Sequence, residues 1–318
     1  MDGRRILITG GAGFIGSHAA ARFIRDGWTV GVLDDFNDFY DPAIKESNLA
    51  ALGGTFQLYR ADIRSPSDVE HAFGHGWDTV LHLAARAGIR PSILNPRLYI
   101  ETNVMGTFNV LEAARQAGVG RFLFASSSSV YGAEVQTPFR ESAPLTRTLS
   151  PYAATKIAGE QMCSTYAHLH GMRVVSLRFF TVYGPGQRPD LAIHKFTQAL
   201  FAGTTIDQYG EGKTRRDYTY VDDIVQGVRA AAEYEGPAYD VFNLGGAHTL
   251  SLGELIRKLE AASGKKALIR RCPEQPGDMP ATWADISKAK ELLGYSPHTP
   301  IDQGLAKFVE WYKSSHAR

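Results

Sequence analysis

Tyr152 and Lys156 stand four residues apart in Tyr152-Ala153-Ala154-Thr155-Lys156, a spacing that puts a phenol and an ammonium on one face of a helix. The pair suits abstraction of a proton from a hydroxyl. A phenol ionises near pH 10, so a tyrosine base at neutral pH needs its phenolate stabilised by about three pH units, roughly 4 kcal/mol. A cation held close by supplies such a field. A solvated helical face also produces this pair, so other features must decide. One is Ser126-Ser127-Ser128-Ser129, four hydroxyls at the end of an apolar run. The ten histidines show no metal-binding pattern, and His82, inside an apolar run, reads as a packed residue. Cys163 and Cys272, the only cysteines, lie far apart and read as reduced packing residues.

The second feature is Thr9-Gly10-Gly11-Ala12-Gly13-Phe14-Ile15-Gly16, which follows the apolar run Ile6-Leu7-Ile8 and opens into a helical pattern. Gly10 can take the positive φ of a tight turn, Gly13 lets backbone approach a pyrophosphate, and Gly16 lets helix and strand pack closely. The N–H groups that begin the helix then face phosphate. The next apolar run ends at Asp34, eighteen residues beyond Gly16, close to the spacing of a ribose-binding acid. An acid there favours NAD over NADP, because a carboxylate accepts from ribose hydroxyls and repels a 2′-phosphate. The nicotinamide ring of such a cofactor, cationic when oxidised, would add to the field on Tyr152.

The elements that must position these groups follow an alternating rhythm. Apolar runs at 55–59, 79–83, 121–125 and 173–179 are separated by helical stretches, which predicts an α/β fold with a doubly wound parallel sheet of Rossmann type. Ligands of such sheets lie beyond the carboxyl ends of the strands, so Asp62, Ala84-Ala85 and Ser126-Ser127 should face one crevice. After 180 the pattern turns to shorter elements richer in glycine and proline. We expect a NAD-binding domain over 1–180 and a smaller α/β substrate domain over 181–318, some segments of which return to the first. Helices are expected at 192–202, 222–234, 252–262, 286–293 and 301–312.

The 318 residues carry a net charge of +1 and no basic block, which gives no reason to expect nucleic acid or an acidic membrane surface as partner. The first strand starts within a few residues of Met1 and no apolar run approaches membrane-spanning length, so a cytoplasmic protein without a secretory peptide is expected. Two long helices, 96–117 and 151–170, have apolar faces broader than one sheet face requires, which suggests a homodimer.

With these motifs in place the sequence resembles the extended short-chain dehydrogenase/reductase family, and within it the nucleotide-sugar epimerases. The resemblance spans nearly the whole chain, through His82-Leu83-Ala84-Ala85, Thr102-Asn103-Val104-Met105-Gly106-Thr107, Arg216-Asp217-Tyr218-Thr219-Tyr220 and Pro276-Gly277-Asp278. Three stretches are most similar to UDP-glucuronate 4-epimerases: 35–42, Ala87-Gly88-Ile89-Arg90, and Arg178-Phe179-Phe180-Thr181-Val182-Tyr183-Gly184-Pro185. The resemblance implies that Tyr152 is the base, Lys156 its electrostatic partner and a ligand of the nicotinamide ribose, and Ser127 a hydrogen-bond partner of the sugar 4-oxygen. It implies adenine at Asp62, and cofactor contacts at Phe14, Ile15, Asn37, Ile63, Leu83, Ala84, Ala85 and Asn103. Arg216 would meet the UDP phosphates, Asp278 the uridine ribose, and Arg188 the phosphate and carboxylate end of the substrate; Arg90, Ser128 and Thr181 complete the sugar site.

Ser128 and Ser129 occupy the places where related 4,6-dehydratases carry Asp-Glu, and Ser129 the place of the decarboxylase Glu. A hydroxyl replaces a proton-moving carboxyl poorly, so elimination and decarboxylation are disfavoured. Thr181 stands where UDP-glucose 4-epimerases usually have Asn. The expected reaction is therefore NAD-dependent 4-epimerisation of UDP-glucuronate to UDP-galacturonate through a 4-keto sugar. Two rivals remain open: a 4-epimerase of UDP-glucose or UDP-N-acetylglucosamine, and a nucleotide-sensing binding protein without catalysis.

Overall fold

The computed structural model describes residues 3–133, 135–273 and 279–316. Six strands come from the first part of the chain: β1 (Arg5–Thr9), β2 (Thr29–Asp34), β3 (Gln57–Arg60), β4 (Thr79–His82), β5 (Arg121–Ser127) and β6 (Arg173–Phe179). A seventh, Tyr239–Leu244, pairs in parallel with β6 from far along the chain. The order across the sheet is Tyr239–Leu244, β6, β5, β4, β1, β2, β3, and every pairing is parallel. Strand order reverses between β1 and β4, which opens a crevice at their carboxyl ends.

The strands are apolar on both faces because both are covered. Ile6 and Ile8 of β1 point into one core with Phe23, Leu123, Val175 and Phe242, while Leu7 between them points into the other with Val80, Phe122, Val69 and Leu111. The expected strand at 55–59 is observed two residues later, at Gln57–Arg60, where it pairs with β2 from Gly31 to Asp34.

Helix starts carry their local signals. In α1 (Phe14–Arg25) the glycine turn leads straight into the helix, with no side chain capping it. The Asp41 carboxylate accepts from the Ala43 N–H at the head of α2 (Pro42–Ala50). Ser150 does the same for the Pro151–His170 helix, accepting from the Ala153 N–H at 3.2 Å. Proline at the first helical position favours both starts. The expected long helix at 96–117 is helical from Pro96 to Gln116, but Ile100–Met105 winds as a π-helix. Among the described residues no helix is long and apolar enough to cross a membrane.

Candidate active site

A cavity of ≈ 450 Å³ lies over the carboxyl ends of the sheet strands. Its floor is the glycine turn, where Gly10 has φ +70° and its N–H donates to the Leu33 carbonyl at 2.7 Å. A Cβ at Gly10 would lie 2.7 Å from the Ala84 nitrogen, and one at Gly16 only 2.3 Å from the Gly10 carbonyl oxygen. Turn, strand end and helix therefore touch backbone to backbone. Phe14, Ile15 and Gly16 line the cavity, and their N–H groups have no partner among the described hydrogen bonds. Three orphan donors at an uncapped helix start form an anion site, suited to a pyrophosphate.

Asp34 closes the far end of the floor. It is 3% exposed, and its carboxylate accepts from the N–H groups of Ala12 (3.2 Å) and Phe36 (3.0 Å) and from Lys45 Nζ (2.7 Å). Asn37, Ile63, Leu83, Ala84 and Ala85 line the same end, as expected. Its lining also includes groups that the sequence did not mark: Phe39, Tyr40 and Lys45.

At the reacting end the first turn of the Pro151–His170 helix brings Tyr152 against the end of β5. Ser127 and Tyr152 both line the cavity here, and the Ser127 oxygen accepts the Ser129 N–H at 3.2 Å. Burial pushes the Tyr152 phenol up, while Ser127 and the Arg188 charge pull it down; the balance lies above the ordinary value. Before ligands bind, the phenol is protonated at neutral pH.

Lys156 is 5% exposed and lines the cavity; its Nζ donates to the Ala125 carbonyl at 2.7 Å and lies 5.9 Å from the Tyr152 ring centroid. Burial brings this ammonium down to about 8, against the opposing pull of Cys163 and Glu160.

Arg188, Thr181, Ser128 and Arg216 also line the cavity. Arg188 is gripped by Asp190 through Nε and Nη2, both at 2.9 Å, and lies 5.5 Å from the Phe39 ring centroid. Arg216 donates from Nη1 to the Met279 carbonyl at 2.7 Å. The Thr181 N–H donates to the Asp217 carbonyl at 3.0 Å. Ser129 lines the cavity as well, its Oγ buried without a partner.

Three expected ligands do not line the cavity. Asp62 is held by Arg64, whose Nε lies 3.1 and 2.9 Å from its two oxygens; burial pushes its carboxyl up, but those bonds outweigh it and hold it low. Asn103 spends its amide elsewhere, accepting from the Arg86 N–H (2.8 Å) and donating to the Arg86 carbonyl (2.9 Å) and Thr155 Oγ1 (3.0 Å). Arg90 lies 4.8 Å over the Tyr209 ring. Asp278 lies outside the described residues. His82 is packed, as expected: its ring nitrogens meet Thr9 Oγ1 and Thr107 Oγ1 at 2.7 and 2.9 Å, and burial brings it down to about 3.

Comparison with known proteins agrees with this geometry. The chain is 39% identical to the UDP-glucuronate 4-epimerase of Thermodesulfobacterium geofontis, over 97% of this chain and 96% of that protein. The crystal structure of UDP-glucuronic acid 4-epimerase from Bacillus cereus, in complex with UDP-glucuronic acid and NAD, superposes with a TM-score of 0.92 at 36% identity, covering 98% of this chain and 100% of that one. A Thermus thermophilus UDP-glucose 4-epimerase in complex with NAD matches at a TM-score of 0.89 and 31% identity, over 98% and 99% of the two chains. Residues 6–245 match the family model that covers the glycine turn, the serine run and the tyrosine helix together, and the chain belongs to the NAD dependent epimerase/dehydratase family.

Proposed function

We propose that this protein is a UDP-glucuronate 4-epimerase that uses NAD and yields UDP-galacturonate. The observation that carries the reading is one cavity lined together by Ser127, Ser128, Tyr152, Lys156, Thr181 and Arg188, with serines at both positions where dehydratases and decarboxylases carry acids. The orphan N–H groups of Phe14, Ile15 and Gly16 suit the pyrophosphate of NAD, and Asp34 suits its adenosine ribose. Bound NAD⁺ would supply a reversible hydride acceptor for C4 of the sugar.

The remaining work falls to side chains. Tyr152 takes the proton from the 4-hydroxyl and returns it to the same oxygen once the ketone has turned and been reduced on its opposite face. Ser127 holds the 4-oxygen and stabilises the phenolate. Lys156, fixed by Ala125, offers its other N–H groups to the nicotinamide ribose. Arg216 meets the diphosphate. Ser128, Thr181 and Arg188 hold the sugar carboxylate, which matters because a 4-ketone turns the sugar into a β-keto acid. CO₂ leaves such an acid when the C5–carboxylate bond aligns with the carbonyl π system, so the restraint must keep it out of line.

The exposed apolar side chains Ile100, Met105 and Phe108 support a homodimer through the 96–117 helical run, with Leu94 just before it and Leu169 on the 151–170 helix. The free thiols Cys163 and Cys272 fit a reducing compartment, the cytoplasm. The deciding experiment is chromatographic and mass-spectrometric identification of the product made from UDP-glucuronate, with the nucleotide extracted from purified protein identified alongside. UDP-galacturonate and NAD are expected. A UDP-pentose as main product, or turnover of UDP-glucose but not UDP-glucuronate, refutes the assignment.

A further inference from the structure

The cofactor end of the cavity holds a cation that the proposed reaction does not use. Lys45, on α2, is 5% exposed; its Nζ donates to Asp34 Oδ1 at 2.7 Å and stands 3.6 Å from Asp35 Oδ1. A lysine so buried gives up the hydration of a full charge, and it keeps that charge only against a well-fixed partner. Asp34 is fixed by the Ala12 and Phe36 N–H groups, and the Phe36 and Tyr40 rings flank the ammonium at 5.9 and 5.6 Å.

Counting hydrogen-bond sites shows what this pair can do. An ionised carboxylate has about four lone-pair sites, and an ammonium three N–H donors. Asp34 Oδ1 takes Lys45 and Phe36, and Oδ2 takes Ala12, which leaves room on Oδ2 for one hydroxyl. An adenosine ribose presents two. Lys45 spends one donor on Asp34 and lines the same cavity, so the second ribose hydroxyl finds its partner there.

The pairing also changes what the site refuses. An isolated carboxylate repels a 2′-phosphate, but one with an ammonium 2.7 Å away presents little net charge. Rejection of NADP then depends on Asp34 keeping the ammonium engaged, with Asp35 adding a more distant negative charge. Without the Asp34 charge the same ammonium becomes a buried cation beside the ribose, the kind of group that holds phosphate.

We propose that Lys45 is a specificity-determining residue of the cofactor site: it binds the adenosine ribose together with Asp34, and it is a 2′-phosphate receptor that the Asp34 carboxylate keeps occupied. The proposal rests on the NAD reading above. It makes cofactor choice a property of the Asp34–Lys45 pair and not of the acid alone.

The test is calorimetric titration of the nucleotide-free full chain with NAD and, separately, with NADP. Wild type, Lys45→Met, Asp34→Asn and the double variant Asp34→Asn/Lys45→Met are compared, with folding checked by circular dichroism. Loss of a charge-assisted hydrogen bond should weaken NAD binding by Lys45→Met about 10-fold, with no gain for NADP. Asp34→Asn should tighten NADP about 10-fold or more against NAD, and the double variant should lose that gain. Equal NADP affinity of Asp34→Asn and the double variant overturns the receptor role. Unchanged NAD affinity in Lys45→Met overturns the ribose role. Asp34→Ser carries the same comparison if the Asn variant does not fold. A wild type that prefers NADP overturns the NAD reading itself, a failure visible before any substitution is made.

Discussion

Glu160→Gln removes the negative charge of the carboxylate with which Arg178 forms its ion pair among the described residues. The two side chains are 2% and 4% exposed, and Arg178 reaches the Glu160 oxygens through Nε at 2.9 Å and Nη2 at 2.7 Å. Ser126 Oγ donates to the same carboxylate. On the other side Arg178 donates to the Tyr131 hydroxyl, which donates in turn to Asn243 Oδ1 on the seventh strand. The pair thus ties the Tyr152 helix to the ends of three strands. Breaking a buried pair from one side costs about 3–5 kcal/mol, because the remaining charge stays buried and uncompensated. At an unfolding entropy near 2.1 cal/mol/K per residue, a chain of this length should lose about 4–8 °C in Tm. The assay is a thermal scan of nucleotide-free protein with urea unfolding beside it. Replacing both members, Glu160→Gln/Arg178→Met, should recover much of the loss, since two neutral side chains bury without an orphan charge. A fall of less than about 1 kcal/mol in the single variant, or a double variant as unstable as the two singles added, refutes the reasoning.

Three further outcomes follow from the site. Tyr152→Phe keeps the ring but removes the proposed base, so turnover should fall about 10²–10⁴-fold with melting unchanged; near-normal turnover in steady-state assays would remove Tyr152 from that role. Lys156 sits at about 8 when folded, against an ordinary 10.5. The unfolded chain therefore binds the extra proton between those values, so the Lys156 contribution to stability rises with pH from 8 to 10.5. The urea midpoint of wild type should accordingly rise with pH relative to that of Lys156→Met across that range, and parallel slopes would contradict it. Truncating Arg188 or Thr181 to Ala should increase the UDP-pentose fraction from UDP-glucuronate by mass spectrometry; unchanged partitioning in both would mean that other groups hold the carboxylate.

The parts of this protein legible from sequence are those where chemistry demands a fixed spacing. Gly10 and Gly16 follow from a turn in which a Cβ would meet backbone at 2.7 and 2.3 Å, and Asp34 from the length of a helix and a strand. Tyr152 and Lys156 share a face at a spacing of four, but periodicity says nothing of depth, and the ammonium is buried against the Ala125 carbonyl. Lys45, Phe39 and Tyr40 come from the stretch after β2, where no repeat fixes which side chain turns inward. Asp190 is two residues from Arg188, and nothing in that spacing says that it grips the guanidinium. Asp62 and Asn103 looked like ligands by position, yet Arg64 and Arg86, near neighbours in space, engage their polar atoms.

The seventh strand has a consequence for how the chain is made. Until Tyr239–Leu244 is available, β6 forms an open sheet edge whose residues Val174, Val175, Ser176, Leu177 and Arg178 are all buried in the finished protein. At about 5–20 residues per second, synthesis from the end of β6 to that strand lasts on the order of 3–13 s. Over that interval a nearly complete nucleotide-binding layer would offer a bare apolar strand to any neighbouring chain, a known route to edge-to-edge association. A fragment ending near residue 180 would carry that edge permanently, so the two halves of this chain are better regarded as a single unit of folding than as separable modules.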